Sequence, residues 1–483
     1  MSIRLYPLGY ILSDEIVKKL PSNYVSQELS HNYFYYIDKG TPYSIYESED
    51  NFLIIHGEYM HIGINNNIPN HKLAEKLLFL YSNNFDEFLN LLDYIAGRFT
   101  IIVKEVSSIK IFPDATNARS NYYCTDRILV SSHAFLLADV LDYNIPKGKI
   151  KHEHKIFLNT LYDNVKSTIS NHYTELMSNK VTRFFPRENN PFSNMDEERK
   201  FQLIEKFWKT QIDEFSKYDN KLIFSITGGL NSRFALSLSK EHINNLSFFT
   251  YALKEKIDNS NNVSRLLSLD YAIVTDILKD IPLNHKFFYL HDNPKTLTDE
   301  ESKILNKNTT HSHLPILNKY VEDAFGDNSI HLRSNLLEIG QAHLYRRREV
   351  ESSSKEAKDS VMRMYKRQTT NTSFLEQLYD EFVSNTDYLS NTYDYHTVDL
   401  VYWELRMGRW LCEVYNNHDS ILRTINPFNH RALICLSLAF PYEQRRDLYM
   451  FKEIINRNYP ILNFYGFNNL KNLYEQSKEK RNL

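Results

Sequence analysis

Lys221 to Leu238 reads KLIFSITGGLNSRFALSL, and this stretch decides the fold. Leu222, Ile223, Phe224 and Ile226 form a short apolar run of strand type. Gly228 and Gly229 follow as a turn, and Phe234, Ala235 and Leu238 then recur at helical spacing. A strand feeding a glycine turn at a helix start is suited to bind an anion. Glycine lets the backbone approach closely, and free N–H groups at the helix N-terminus point at the bound charge. An ordinary βα turn has the same pattern, so the flanking segments must discriminate between the two.

At 483 residues the chain has room for two or three domains. Its hydrophobic share of 42% is enough to build their cores. A formal charge of −3 argues against nucleic-acid binding through bulk electrostatics. Only 12 glycines occur, which makes an adjacent pair more informative. Cys124, Cys412 and Cys435 are too far apart for a zinc knuckle or a CxxC motif, and fit a reduced, cytoplasmic setting. No apolar run approaches the ~20 residues that span a bilayer, so no membrane partner is expected.

Outward from the glycine turn, the chain divides in two. Strands are expected at Phe52–Gly57, Phe99–Val103, Ile109–Phe112 and Ile128–Ser132, and helices at Lys72–Tyr81 and Phe85–Ile95. The stretch Val181–Asn194 carries two prolines and marks a boundary, followed by an amphipathic helix over Met195–Phe215. Beyond the turn, strands at Leu246–Tyr251, Lys286–Leu290 and Ser329–Leu332 alternate with helical segments such as Asn262–Leu269. That alternation predicts a parallel, doubly wound sheet with its ligand at the carboxyl ends of the strands. The polar, basic stretch 345–369 reads as a solvated helix or mobile lid, with a phosphate-contacting lid as the alternative. An apolar helix is expected over Val398–Val414.

The stretch ITGGLNSR resembles the S-G-G-x-D-S pyrophosphate loop of the asparagine synthetase-like ATP pyrophosphatases. Other segments resemble that family in order. HGEYMHIG (His56–Gly63), GRFTIIV (Gly97–Val103), FPDATNARSNYY (Phe112–Tyr123) and LVSSHAFLL (Leu129–Leu137) are similar to segments of its class II glutamine amidotransferase domain. RSNLLEIG (Arg333–Gly340) is similar to its second loop, and ELRMGRWL (Glu404–Leu411) and INPFNHRAL (Ile425–Leu433) to its later segments. The resemblance implies an α/β protein. An Ntn-type, amidotransferase-like αββα sandwich over 1–180 would precede a doubly wound adenine-nucleotide α-hydrolase domain over 195–483. It implies ATP and Mg²⁺ as cofactors, small-molecule or peptide carboxylates and amines as substrates, and it admits a homodimer.

Carried over residue by residue, the resemblance has Thr227, Gly228, Gly229, Asn231 and Ser232 cradle pyrophosphate, with Arg233 neutralising its charge. Thr250 and Tyr251 would meet adenine through the backbone, and Asp258 would open the following helix. Asn231 and Glu338 would share the metal, and Glu338 could alternatively activate the amine. Arg431, Arg445, Lys452 and Lys471 are candidates for late charge compensation, while Glu404, Arg406, Arg409 and Trp410 read as packing and ion-pair residues. Several departures stand out. The chain begins Met1–Ser2 where the family has a nucleophilic cysteine, and His56 replaces an asparagine that donates to the oxyanion. Asn231 replaces an aspartate, and Leu336 and Leu337 sit where small or acidic residues are usual. The first domain therefore reads as a glutaminase without its chemistry, as in the β-lactam synthetase branch. Three functions remain open: a carboxylate-adenylating amide ligase of a specialised-metabolite, modified-peptide or surface-glycan pathway, a scaffold of the same fold, or an Ntn-type hydrolase acting through Ser2.

Overall fold

The computed structural model describes residues 3–106, 108–144, 155–254, 261–292, 294–310, 316–326, 328–472, 475 and 478. Ser2 and Asp258 lie outside them.

Two antiparallel six-stranded sheets occupy the first part of the chain. Their strands are β1 (Tyr10–Ser13), β2 (Tyr24–Leu29), β3 (Tyr33–Asp38), β4 (Tyr43–Ser48), β5 (Asn51–His61), β6 (Ile95–Glu105), β7 (Ser108–Pro113), β8 (Tyr122–Cys124), β9 (Leu129–Ser131), β10 (Val165–Ser167), β11 (His172–Glu175) and β12 (Lys180–Arg183). One sheet has the order β10-β8-β9-β1-β3-β2 and the other β12-β11-β7-β6-β5-β4. Alternate residues of the two meet in a shared core of Tyr10, Leu12, Tyr35 and Ile37 against Phe52, Ile54, Ile102 and Ile111. The remaining faces are covered by helices. The helices α1 (Asn70–Asn83) and α2 (Phe85–Leu92) pack on Leu53, Ile55 and Ile101, and α3 (Ala134–Val140) packs on Ile11, Tyr122 and Leu129. The result is four layers, helix–sheet–sheet–helix. The helix expected to reach Ile95 stops at Leu92, because Ile95 begins β6 and pairs with His61.

After α4 (Glu197–Phe215) the chain builds a five-stranded parallel sheet from β13 (Lys221–Ser225), β14 (Ser247–Ala252), β15 (His285–Tyr289), β16 (Ser329–Leu332) and β17 (Arg423–Ile425). Its order is β15-β14-β13-β16-β17, so the winding reverses between β13 and β16. Side chains alternate between two covered faces. Leu222, Phe224 and Phe248 face α5 (Leu230–Leu238) and α6 (Asn262–Asp280), while Ile223 and Phe249 face α7 (Asp299–Asn308) and α8 (Ile316–Phe325). Burial on both faces explains why these strands read as continuous apolar runs.

The stretch 345–369, expected as a solvated helix or mobile lid, carries a helix with one buried face. Its helix Ser354–Tyr365 buries Ala357, Val361 and Tyr365 in a cluster with Phe157, Tyr379 and Phe382. The helix expected over Val398–Val414 is one continuous run from Thr397 to Asp419, with a wide π-helical stretch at Tyr402–Leu411.

Buried charge joins the antiparallel and parallel parts. Asp419 receives the Arg98 guanidinium at 2.7 Å and that of Arg119 at 3.5 Å, all three fully buried. Arg183 grips Glu404 through two bonds of 2.7 and 2.9 Å.

Candidate functional site

The glycine turn leaves the carboxyl end of β13 at the place where the sheet reverses its winding. A Cβ on Gly228 would stand 2.7 Å from Ile273 Cδ1, so glycine lets the turn sit against α6 without displacing the end of that side chain. The turn satisfies much of its own backbone. Thr227 N–H donates to Ser232 Oγ at 3.1 Å, and Gly229 N–H donates to Thr227 Oγ1 at 3.2 Å. Gly228 N–H donates to a carboxylate of α6, Asp270 Oδ1, at 2.7 Å. A carboxylate of the chain thus takes a donor that the loop would offer to phosphate. Burial lifts the Asp270 carboxyl to about 6, with the Gly228 bond and the Arg233 charge pulling the other way. No local sequence signal marks Asp270, which sits on a helical stripe like any other polar residue.

Arg233, expected to neutralise phosphate charge, turns its guanidinium to backbone carbonyls. Its guanidinium is fully buried and donates to four carbonyls: Gly228 at 3.0 Å, Leu462 at 3.2 Å, Tyr465 at 2.8 Å and Gly466 at 2.6 Å. Phe467 stacks on it at 4.5 Å, and Asn468 N–H donates to Gly228 O at 2.9 Å. Arg233 therefore clamps the segment 462–468 onto the turn. Desolvation lowers its pKa to about 9, so it still carries its charge at neutral pH.

Across the reversal point, β16 leads into the second loop. Leu336 holds a left-handed backbone (φ 87°) and so does Ala342 (φ 48°), an uncommon state for residues with a Cβ. The short turn Leu337–Gln341 lies between them and presents Glu338. Gly340 lets it approach the helix Arg431–Leu438, since a Cβ would meet Ser437 Cβ at 2.8 Å. The two loops meet here: Asn231 Nδ2 donates to Glu338 Oε1 at 2.8 Å, and Gln341 Nε2 donates to Asn231 Oδ1 at 2.9 Å. Arg346 in turn holds Gln341, donating to its Oε1 at 2.8 Å. Burial raises the Glu338 pKa above the usual carboxylate range. Its Oε2 is buried without a hydrogen-bond partner.

Mg²⁺ does not fit this donor set. The ion asks for near-octahedral oxygen ligands. The Asn231 oxygen is already an acceptor for Gln341, and its NH₂ faces the carboxylate. Among the described residues no group of three His, Cys, Asp or Glu side chains is placed to hold a metal. At the metal site expected at Asn231 and Glu338, the two side chains are joined by a hydrogen bond.

The remaining candidates have structural partners. Thr250 Oγ1 donates to Ile226 O at 2.7 Å and meets His285 Nε2 at 2.8 Å, and Tyr251 OH donates to Leu317 O at 2.9 Å. Both stand at the carboxyl end of β14 beside the turn, with their side chains turned to internal partners. Arg431 pairs with Asp93 at 3.1 Å and Arg445 with Asp399 at 2.7 Å, and Lys452 Nζ donates to Asp447 O at 2.8 Å. Lys471 is exposed. Glu404 and Arg409 make the expected ion pairs, whereas Arg406 lies over the Trp410 ring at 3.9 Å. In the first part of the chain, His56 is fully buried between the sheets. It bonds Tyr35 OH at 2.7 Å and Leu8 O at 3.1 Å, so it is a packed core residue.

No protein-family model matches the chain, and no curated protein does. Solved structures similar to it include the allosteric regulatory enzyme of purine biosynthesis, at 10% identity over 46% of this chain and 54% of that one, with a TM-score of 0.25. NMN synthetase from Francisella tularensis is similar at 11% identity over 38% of this chain and 74% of its own, TM-score 0.19. The NH3-dependent NAD synthetase from Campylobacter jejuni is similar at 13% over 45% and 96%, TM-score 0.19. The chain spans about half the length of the purine-biosynthesis enzyme. Likeness at this level sets no function, which rests on the residues above.

Proposed function

We propose that the chain is an ATP-dependent carbon–nitrogen ligase of asparagine synthetase-like type, without a glutaminase of its own. One observation supports this reading: the TGG turn and the loop of Glu338 follow the adjacent strands β13 and β16, where the parallel sheet reverses, and Asn231 joins them. In the reaction, an acceptor carboxylate oxygen attacks the α-phosphorus of ATP. The bond to the bridging oxygen breaks, and pyrophosphate leaves with that electron pair. An amine then attacks the acyl carbon, AMP leaves, and the amine proton passes to a base. Glu338, with its raised pKa, is suited to take that proton. Thr227, Gly228, Gly229 and Ser232 would cradle the departing pyrophosphate, and most of the catalysis would be positioning. Thr250 and Tyr251 would meet adenine through their backbone groups.

A second reading is favoured by the Asp270 bond to Gly228 N–H: a scaffold that kept the fold while its own carboxylate filled the anion site. Incubation with ATP and a panel of carboxylic acids, with and without Mg²⁺, separates the two. Pyrophosphate release with any acid supports the ligase. Absence of both release and nucleotide binding by calorimetry leaves the scaffold.

A further inference from the structure

Resting on the ligase reading, we infer that this site balances phosphate charge with the guanidinium groups of Arg333, Arg346 and Arg406 in place of Mg²⁺. The polarity of the bridge across the site is set from the Arg346 end. Arg346 can only donate, so the Gln341 oxygen must face it. Gln341 then turns its NH₂ to the Asn231 oxygen, which leaves the Asn231 NH₂ for Glu338. The two amides therefore run in one direction, and a cation placed between the loops would meet their N–H groups beside the single unpartnered oxygen of Glu338.

Positive charge is already supplied. Arg333 follows β16, Arg346 follows the second loop, and Arg406 comes from the π-helical stretch, a local geometry often found at functional sites. All three lie within electrostatic range of Glu338. Among the described residues, none of them has a carboxylate within ion-pair distance. Three guanidiniums against one carboxylate leave an excess of two positive charges, the charge of one divalent ion. Arg406 is held flat by Trp410 at 3.9 Å, so its donors are oriented before a ligand arrives. The His343 ring packs on Tyr402 at 4.8 Å and completes this wall. A guanidinium suits the role, because its planar donors match phosphate oxygens in pairs.

The test is calorimetric titration of the full chain with inorganic pyrophosphate and with ATP, in Mg²⁺ and in EDTA at equal ionic strength. The expected result is binding in EDTA within a few-fold of that in Mg²⁺. Arg346→Gln and Arg406→Gln should each weaken pyrophosphate binding about tenfold or more. Asn231→Asp should reintroduce metal dependence, with tighter binding in Mg²⁺ than in EDTA. Wild-type binding that is lost in EDTA and restored by Mg²⁺ overturns the inference and leaves the ligase reading standing. Binding in neither condition overturns both. The wild-type comparison stands whether or not a variant folds.

Discussion

At the scale of single residues, Asp270 and Glu338 are carboxyls made costly by burial. The Asp270 pKa rises from an ordinary 3.8 to about 6 in the folded chain. Below about pH 4 both states hold the proton, and the group is neutral to stability. Between about 4 and 6 the unfolded chain releases the proton first, so stability falls as pH rises. Above 6 the cost levels off at up to ~3 kcal/mol. Asp270→Asn keeps an acceptor for Gly228 N–H and removes the charge. Urea titration should show it more stable than wild type by about 1–3 kcal/mol at pH 7.5 and near parity at pH 4. An equal gain at both values would show that the charge is not responsible. Glu338→Gln should lower amide formation about 10²–10⁴-fold while leaving ATP–pyrophosphate exchange in place, because only the second step needs the base. Loss of exchange to the same extent would assign Glu338 to the first step.

At the scale of elements, the glycine turn is held between α6 on one side and the segment 462–468 on the other. Gly228→Ala should cost about 1–3 kcal/mol through its contact with Ile273 Cδ1. Ile273→Val removes that atom, so the double variant should lose less than the sum of the two. Strict additivity would place the strain elsewhere. Arg233→Ala takes a donor from four carbonyls, of which Gly228 O keeps the Asn468 N–H. Hydrogen exchange should then rise over 462–472 and over the turn while the antiparallel sheets stay protected. Unchanged exchange in that segment would mean that its apolar contacts alone hold it.

At the scale of the whole molecule, a buried carboxylate joins the two parts. Asp419→Asn leaves Arg98 and Arg119 buried with less compensation, at a cost of about 3–5 kcal/mol. If the parts unfold as one unit, a single cooperative transition should move to lower denaturant, whereas a split into two transitions would show that they fold separately. Much of this architecture was legible in the sequence. The run Leu222–Ile226, the glycine pair and the helical stripe after it depend only on periodicity over a few residues, and they fold as that periodicity requires. So do β16, the Phe52–Gly57 part of β5 and the Phe99–Val103 part of β6. The strands β1 to β4 were not legible, since their tyrosines, serines and acidic residues make weak alternation that only pairing with neighbours resolves. The stretch 345–369 looked solvated because its few apolar residues are spread over a helix, and only packing against Phe157 and Phe382 gives them a partner. The sequence by itself thus determined that a glycine turn ends a buried parallel strand. The tertiary structure alone decided what that turn meets: Asp270, 42 residues away, on its N–H, and Gln341, 110 residues away, on Asn231. Hydrogen bonds form or fail within a few tenths of an ångström, and that placement comes from how helices and loops pack on the sheet.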